Sequence, residues 1–280
     1  MKRGQTKRSR LRRSNTVATS PQLSGAATNT GNLQERDAAN KAFGSANFDT
    51  WIKSIYSRLW YGTVLDLCCG TGNQLVLFAE NKSLTRLVGI DLSKESLAVA
   101  EARLAAMTAS ARCELIAADM DSAFDVQSLT NSMFDVIACS YGLYYSRNAV
   151  RLLRRMRKHL APGGAILIIG PHGQNNASLF SLLQRHLELP KQVEYSATAF
   201  MGAEVIPTVM ELGLSVEQST FVNQIEYPNT EAVLKYWRAS TFHNPVAEPN
   251  VARDLEEHFR RHDRFVVEKH VMAIIARSPA

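Results

Sequence analysis

VLDLCCGTGNQ, residues 64–74, sets apolar residues around one carboxylate and then runs through Cys68 and Cys69 into a Gly70-Thr71-Gly72 turn. An apolar strand that ends beside Asp66 and continues as a loop of small side chains leaves main-chain N–H groups bare, because no bulky side chain keeps a ligand away. The neighbouring sequence decides what kind of sheet this strand belongs to. TVLDLC reads as a first strand, QLVLFAEN as a helix, RLVGID as a second strand, SKESLAVAEARLAAMTA as a long helix and ARCELIAAD as a third strand. FDVIACS follows as a fourth strand, NAVRLLRRMRKHL as a helix stopped by APGG, and AILIIG as a fifth strand.

This alternation predicts β-α-β units in a doubly wound, mostly parallel, Rossmann-like α/β sheet, with any ligand at the carboxyl ends of the strands. Before the first strand, residues 35–62 read as a helical cap, with Phe43, Phe48, Trp51, Ile52, Ile55 and Leu59 at spacings of three and four. After the fifth strand, NASLFSLLQRHL and AEVIPTVMEL read as helices, SVEQSTFVNQIEY as a strand and FVVEKHVMAIIARS as the last strand. Residues 228–263, between those two strands, contain TEAVLKYWRASTF and VARDLEEHFRRH and read as a helical insertion. The expected organisation is therefore an arm at 1–34 and a domain at 35–280, divided into a cap (35–62), core (63–227), insertion (228–263) and last strand (264–280).

The net charge of +6 is concentrated at one end. Residues 1–34 hold Lys2, Arg3, Lys7, Arg8, Arg10, Arg12 and Arg13 and no acid, which leaves 25 basic against 26 acidic residues in the rest. Such an arm, rich in Ser, Thr, Asn and Gly, buries too little apolar surface to offset its ordering entropy and is expected to be disordered. It could be a solvated arm, a contact for nucleic acid or an acidic surface, or a transit peptide, and it lacks the apolar run of a secretory signal. AILIIG falls far short of the roughly 20 apolar residues of a membrane span. Cys68, Cys69, Cys113 and Cys139 form no C-x-x-C pair and have no His at ligand spacing, so neither a metal site nor a structural disulfide is expected. Free thiols suit a reducing compartment, and the chain is expected to be cytoplasmic.

A dinucleotide fingerprint starting at Gly70 would place its third glycine at Leu75, which argues against a nicotinamide cofactor. Asp91 ends the second strand 25 residues after Asp66, where a carboxylate can accept from both hydroxyls of a ribose. An N-cap is the alternative reading, and Ser93 could fill that role while Asp91 faces a ligand. In AADMDSAF, Asp119 could accept from an exocyclic amine and Met120 could lay its sulfur on a ring face, or the pair could be an ordinary turn.

The ordered set VLDLCCGTG, VGIDLS, AADM, FDVIACSYGLYY and LAPGGAILIIG resembles the class I S-adenosylmethionine-dependent methyltransferases, especially the small-molecule branch, from residue 63 to residue 170. The resemblance implies S-adenosyl-L-methionine as cofactor, with Asp66, Leu67, Cys68, Cys69, Gly70 and Gly72 around its methionine part. It also implies Asp91 on the ribose, Leu92 beside the adenine, Asp119 and Met120 framing the base, and Cys139 or Ser140 near the amino acid moiety. The departure from the family pattern is Cys68, where a glycine usually stands; a small side chain is expected to allow the turn if φ stays negative.

In such a reaction the cofactor brings a good leaving group, and the protein's task is in-line positioning. A base would help a hydroxyl or protonated amine acceptor. His172, after strand five, is the first candidate because its ordinary pKa is about 6.5. Tyr141, Tyr144 and Tyr145 trail strand four and suit a pocket wall better than a base, and His243, in the insertion, is a second histidine candidate. The favoured function is methyl transfer to a small-molecule substrate. A nucleic-acid methyltransferase using the arm is disfavoured by the near-neutral domain and by CSYGLYY where an NPPY-like motif would stand. A cofactor-binding regulator without turnover would keep the same loop. Oligomeric state is not legible.

Overall fold

The computed structural model describes residues 28–107 and 111–279. The basic residues of the arm lie outside them, and so does the expectation that the arm is disordered. Residues 30–34, assigned to that arm, instead belong to the first described helix, α1 (Thr30–Phe43), because Asn29 caps it by accepting from the Asn32 N–H. A second helix, α2 (Phe48–Tyr56), is capped in the same way by Asn47 and buries Ile52, Ile55 and Tyr56.

The core follows the alternation of the sequence: β1 (Thr63–Leu67), α3 (Asn73–Ala79), β2 (Arg86–Asp91), α4 (Lys94–Ala105), β3 (Arg112–Ala117), β4 (Phe134–Ser140), α5 (Ala149–Lys158) and β5 (Leu160–Pro171). Then come α6 (Ala177–Leu183), α7 (Lys191–Thr198), a π-helical turn (Met201–Val205), α8 (Ile206–Glu211), β6 (Ser215–Tyr227), α9 (Thr230–Arg238), α10 (Glu248–Phe259) and β7 (Phe265–Arg277). Two differences from the sequence reading have local causes. APGG lies inside β5, because the chain pairs Leu160 with Phe134 and resumes at Ala165 with Val136 across a register shift. Helix α7 was not expected, and Pro190 precedes it.

One seven-stranded sheet runs in the order β3-β2-β1-β4-β5-β7-β6, with β1 to β5 parallel and β7 antiparallel to both β5 and β6. The chain leaves β1 toward β2 on one side and returns to β4 on the other, so the strand order reverses between β1 and β4. At such a point the loops diverge and leave a crevice at the carboxyl ends.

One face packs Leu65, Leu67, Ile137 and Ile168 against Leu152, Leu153 and Met156 of α5. The other packs Val64, Val136 and Leu167 against Ile52 and Ile55 of α2 and Phe78 of α3. A third cluster joins Ile225, Tyr227 and Val267 of the β6–β7 ribbon to α6, α9 and α10, with Trp237 fully buried. The insertion at 228–263 thus has its own core against the long end of the sheet. Among the described residues, no helix is long and apolar enough to cross a membrane.

Candidate active site

The crevice is built on the segment after β1. Cys68, Gly70 and Gly72 all have positive φ, at 62°, 52° and 80°, and the N–H of Cys69 donates to the Ile90 carbonyl at 2.9 Å. The expectation of a negative φ at Cys68 is therefore corrected. A left-handed non-glycine residue costs about 1–2 kcal/mol, and the surroundings hold it there. A Cβ on Gly142 would stand 2.5 Å from the Cys68 Cβ and 2.8 Å from its Sγ, so Cys68 occupies space that Gly142 leaves vacant. Its thiol also lies 3.5 Å from the Met120 sulfur. Burial and the neighbouring Cys139 thiol keep Cys68 protonated, with its pKa pushed well up first by the hydrogen bond to Cys139.

The Asp91 carboxylate ties the two strand ends together, accepting from Gly70 N–H at 2.8 Å and Ser93 N–H at 2.9 Å. Ser93 in turn caps α4 by accepting from Ser96 N–H. Ser93 thus fills the N-cap role, and the Asp91 carboxylate faces the loop. An ionised carboxylate offers about four acceptor directions, so Asp91 retains capacity for ligand hydroxyls. Asp66 is only 1% exposed, its Oδ1 has no partner, and burial, followed by the charge of Asp91, pushes its carboxyl well above the usual range.

The other expected binding residues divide by accessibility. Leu92 is 51% exposed beside Asp91, whereas Leu67, Cys69, Met120 and Cys139 are buried. Met120 therefore packs under the loop through its contact with Cys68. Asp119 caps a short 3₁₀ turn through Asp121 N–H and accepts from Arg147 Nη2 at 3.0 Å. The Ser140 hydroxyl, at the end of β4, is buried with no partner; a buried unpaired hydroxyl is costly and marks a place where a polar group is missing.

Past β4, Tyr141 has a φ of 54°, and its ring centroid is 6.3 Å from that of Phe48. Phe48 and Trp51 of α2 meet Phe221 of β6 at 5.6 and 5.3 Å, forming an aromatic wall. The Tyr141 hydroxyl is pushed up by loss of water, then by Asp37 and Tyr236. Helix α1 crosses this region. Leu33 comes within 3.2 Å of where a Gly70 Cβ would be, Asp37 accepts from Asn73 at 2.6 Å, Glu35 pairs with Lys235 at 2.8 Å, and Arg36 donates to the Ala239 carbonyl.

The two candidate bases, His172 and His243, and Tyr141 are not brought together. Tyr141 lies beside the loop. His172 sits at the end of β5, with its ring 6.1 Å from His270 and a buried, unpartnered Nε2. Burial, then His270, lowers its pKa, which keeps the imidazole neutral. His243 is fixed within the insertion, 2.7 Å from Glu248 and edge-on to Trp237 at 4.9 Å. The sequence reading missed Arg36, Asp37, Asn176 and Lys269 as residues near this region. Only the α1 cap at Asn29 could have drawn attention to the first two, since the others arrive through β7 and the turn after β5.

Residues 61–232 match a family model described as "Methyltransferase domain". The chain is 30% identical over 172 residues to the chloroplastic 2-phytyl-1,4-beta-naphthoquinone methyltransferase of Arabidopsis thaliana, covering 54% of this chain and 64% of that one. It is 31% identical over 118 residues to the trans-aconitate 2-methyltransferase of Deinococcus radiodurans, covering 42% of this chain and 41% of that one. The chain thus spans less than two thirds of the length of either relative. A candidate methyltransferase of Bacillus halodurans C-125 shares the fold with a TM-score of 0.58 at 17% identity, covering 84% of this chain and all of that one.

Proposed function

This chain belongs to the methyltransferase-domain family, and from that premise we propose that it transfers a methyl group from S-adenosyl-L-methionine to a small-molecule acceptor. The observation that carries the proposal is the Asp91 carboxylate bridged to the Gly70 N–H across the ends of β1 and β2. It combines bare main chain for an amino acid with an acceptor-rich carboxylate for a ribose diol. The unpaired Ser140 hydroxyl at the adjoining strand end fits a polar ligand group there.

In this reading Gly70 and Gly72 let the backbone approach the methionine part, with Asp66, Leu67, Cys68 and Cys69 shaping the loop from beneath. Asp91 holds the ribose, Leu92 and Met120 bound the adenine, and Asp119 accepts from its amine while retaining Arg147. Ser140 lines the amino acid end, with the buried Cys139 behind it. When bound, the cofactor supplies an activated methyl group on a sulfonium whose departure as a thioether drives transfer. The protein's own work is then alignment and exclusion of water.

Tyr141 is the side chain best situated to orient an acceptor next to the loop. The neutral imidazole of His172 can accept a proton if an acceptor reaches the end of β5, whereas His243 is tied to Glu248 and serves the insertion. The relatives' names cite naphthoquinone and trans-aconitate, which supports a small organic acceptor over a nucleic acid. Four free cysteines favour a reducing compartment and hence the cytoplasm.

The test is transfer of labelled methyl from S-adenosylmethionine to a demethylmenaquinol, to trans-aconitate and to a small-molecule extract. Label in a small organic product supports the proposal. Cofactor binding without transfer to any acceptor would favour the non-catalytic regulator, and label in nucleic acid would favour the rival substrate.

A further inference from the structure

Lys269 of β7 is 8% exposed, yet among the described residues its ammonium is paired with neutral oxygens and with no carboxylate. Its Nζ donates to Asn176 Oδ1 and to the Tyr236 hydroxyl, the latter at 2.5 Å, and lies 4.0 Å from the Tyr236 ring centroid. An ammonium carries three donors; two are used on neutral oxygens and one remains. Burial first, and Arg36 of α1 to a lesser degree, disfavour the charge on Lys269, while the Tyr236 hydroxyl favours it; the hydrogen bond of Arg36 goes to the Ala239 carbonyl, not to an acid.

The nearby carboxylates are engaged elsewhere. Asp37 accepts from Asn73 and Glu35 pairs with Lys235. Glu268 precedes Lys269 on the strand and so points to the opposite face, where it meets His270 and Gln224. A buried cation is costly to retain where a methionine of similar size could fill the space, so its persistence without a counter-ion points to a role beyond packing. Contacts of α1 link its setting to the crevice: Leu33 lies against Gly70, Asp37 accepts from Asn73 just after the loop, and the adjacent Arg36 donates to the Ala239 carbonyl, three residues after the Tyr236 that holds Lys269.

We propose that Lys269, assisted by Arg36, is the recognition site for a carboxylate on the methyl acceptor. The inference rests on the methyl-transfer reading and narrows its substrate class to small organic acids. A planar carboxylate presents two oxygens to the one free ammonium donor and the guanidinium, and it supplies the missing negative charge. Tyr236 and Asn176 orient the ammonium. Lys269 is here a specificity-determining residue, and no proton or bond change is assigned to it.

The test titrates the full chain, saturated with S-adenosylhomocysteine, with benzoate, benzamide and phenyl phosphate as probes by calorimetry or ligand-observed NMR. Wild type is expected to prefer benzoate over benzamide by about tenfold or more, as for a hydrogen bond to a charged group. Lys269→Met should abolish that preference, and Arg36→Gln should reduce it, while S-adenosylhomocysteine affinity stays unchanged in both. Tyr236→Phe, which keeps the ammonium, should retain it. Equal binding of benzoate and benzamide by wild type, a preference for phenyl phosphate over benzoate, or an undiminished benzoate preference in Lys269→Met would overturn the assignment. Should Lys269→Met not fold, an undiminished preference in Arg36→Gln would overturn it and a reduced one support it. Failure of wild type to bind S-adenosylhomocysteine would instead strike the methyl-transfer reading, because the benzoate-to-benzamide ratio is then measured on the chain without it.

Discussion

Replacing Gly142 by Ala tests how this chain accommodates a cysteine in a glycine position. Gly142 has φ −121° and ψ −37°, so the cost of a side chain there is steric and not conformational. The new Cβ would lie 2.5 Å from the Cys68 Cβ, 2.8 Å from its Sγ and 3.1 Å from the Cys139 Sγ. Carbon atoms rest about 3.5–4.0 Å apart, so Cys68 must shift by roughly 1 Å in a backbone already left-handed. Overpacking of this kind costs about 1–3 kcal/mol, and at the slope of a large domain it lowers Tm by roughly 2–12 °C.

Cys68→Gly alone should be nearly neutral. It relieves about 1–2 kcal/mol of left-handed strain, but gives up the thiol's packing on Met120 and adds unfolded-state entropy of about 0.5–1 kcal/mol. In the double variant the two shortest contacts vanish and only the thiol of Cys139 has to move. The pair is therefore predicted to couple favourably by about 1–2 kcal/mol. Urea unfolding of wild type, both single variants and the double variant measures that coupling. Costs that simply add, within about 0.5 kcal/mol, would refute the account of Cys68 and Gly142 as complementary.

Asp135 Oδ2 accepts from the N–H groups of Gly62 and Thr63 and from the Thr63 hydroxyl at 2.8–2.9 Å, at the end of β1 remote from the loop. Asp135→Ala should cost about 2–4 kcal/mol in urea unfolding, because it leaves main-chain donors unpaired, while S-adenosylhomocysteine affinity is preserved. The His172 pKa is lowered in the fold, so below about pH 6.5 the unfolded chain binds more protons than the native one and stability falls as pH falls. The wild-type minus His172→Gln difference in urea midpoint should therefore shrink between pH 7 and pH 5.5; a flat difference would count against a neutral buried imidazole.

Much of the core was legible because its periodicity is strong. β4 and β6 match the sequence reading to the residue, since FDVIACS holds an apolar buried run from Val136 to Cys139 and SVEQSTFVNQIEY is bounded by turns at both ends. Asp66 and Asp91 could be placed at strand ends for the same reason. The rest depended on contacts between distant segments. The left-handed turn at Cys68 follows from the absence of a side chain at Gly142, and the ion-pair partner of Asp119 is Arg147, 28 positions later. Nothing near Lys269 in sequence announces Tyr236 or Asn176, which reach it through the β7 register and the turn after β5. The start of α1 was masked by composition: residues 30–34 look like the end of a polar arm, and a single Asn29 cap turns them into helix.

Calorimetry of S-adenosylhomocysteine against wild type and Asp91→Ala is the most direct measurement of the central claim. In the proposed reading the carboxylate both positions the Gly70 N–H and accepts from the ligand's sugar, and hydrogen bonds to a charged group contribute about 1.5–3 kcal/mol. Wild type should bind, and the folded variant should bind about 10–150-fold more weakly. An unchanged affinity in Asp91→Ala, or no heat of binding in wild type, would contradict the account.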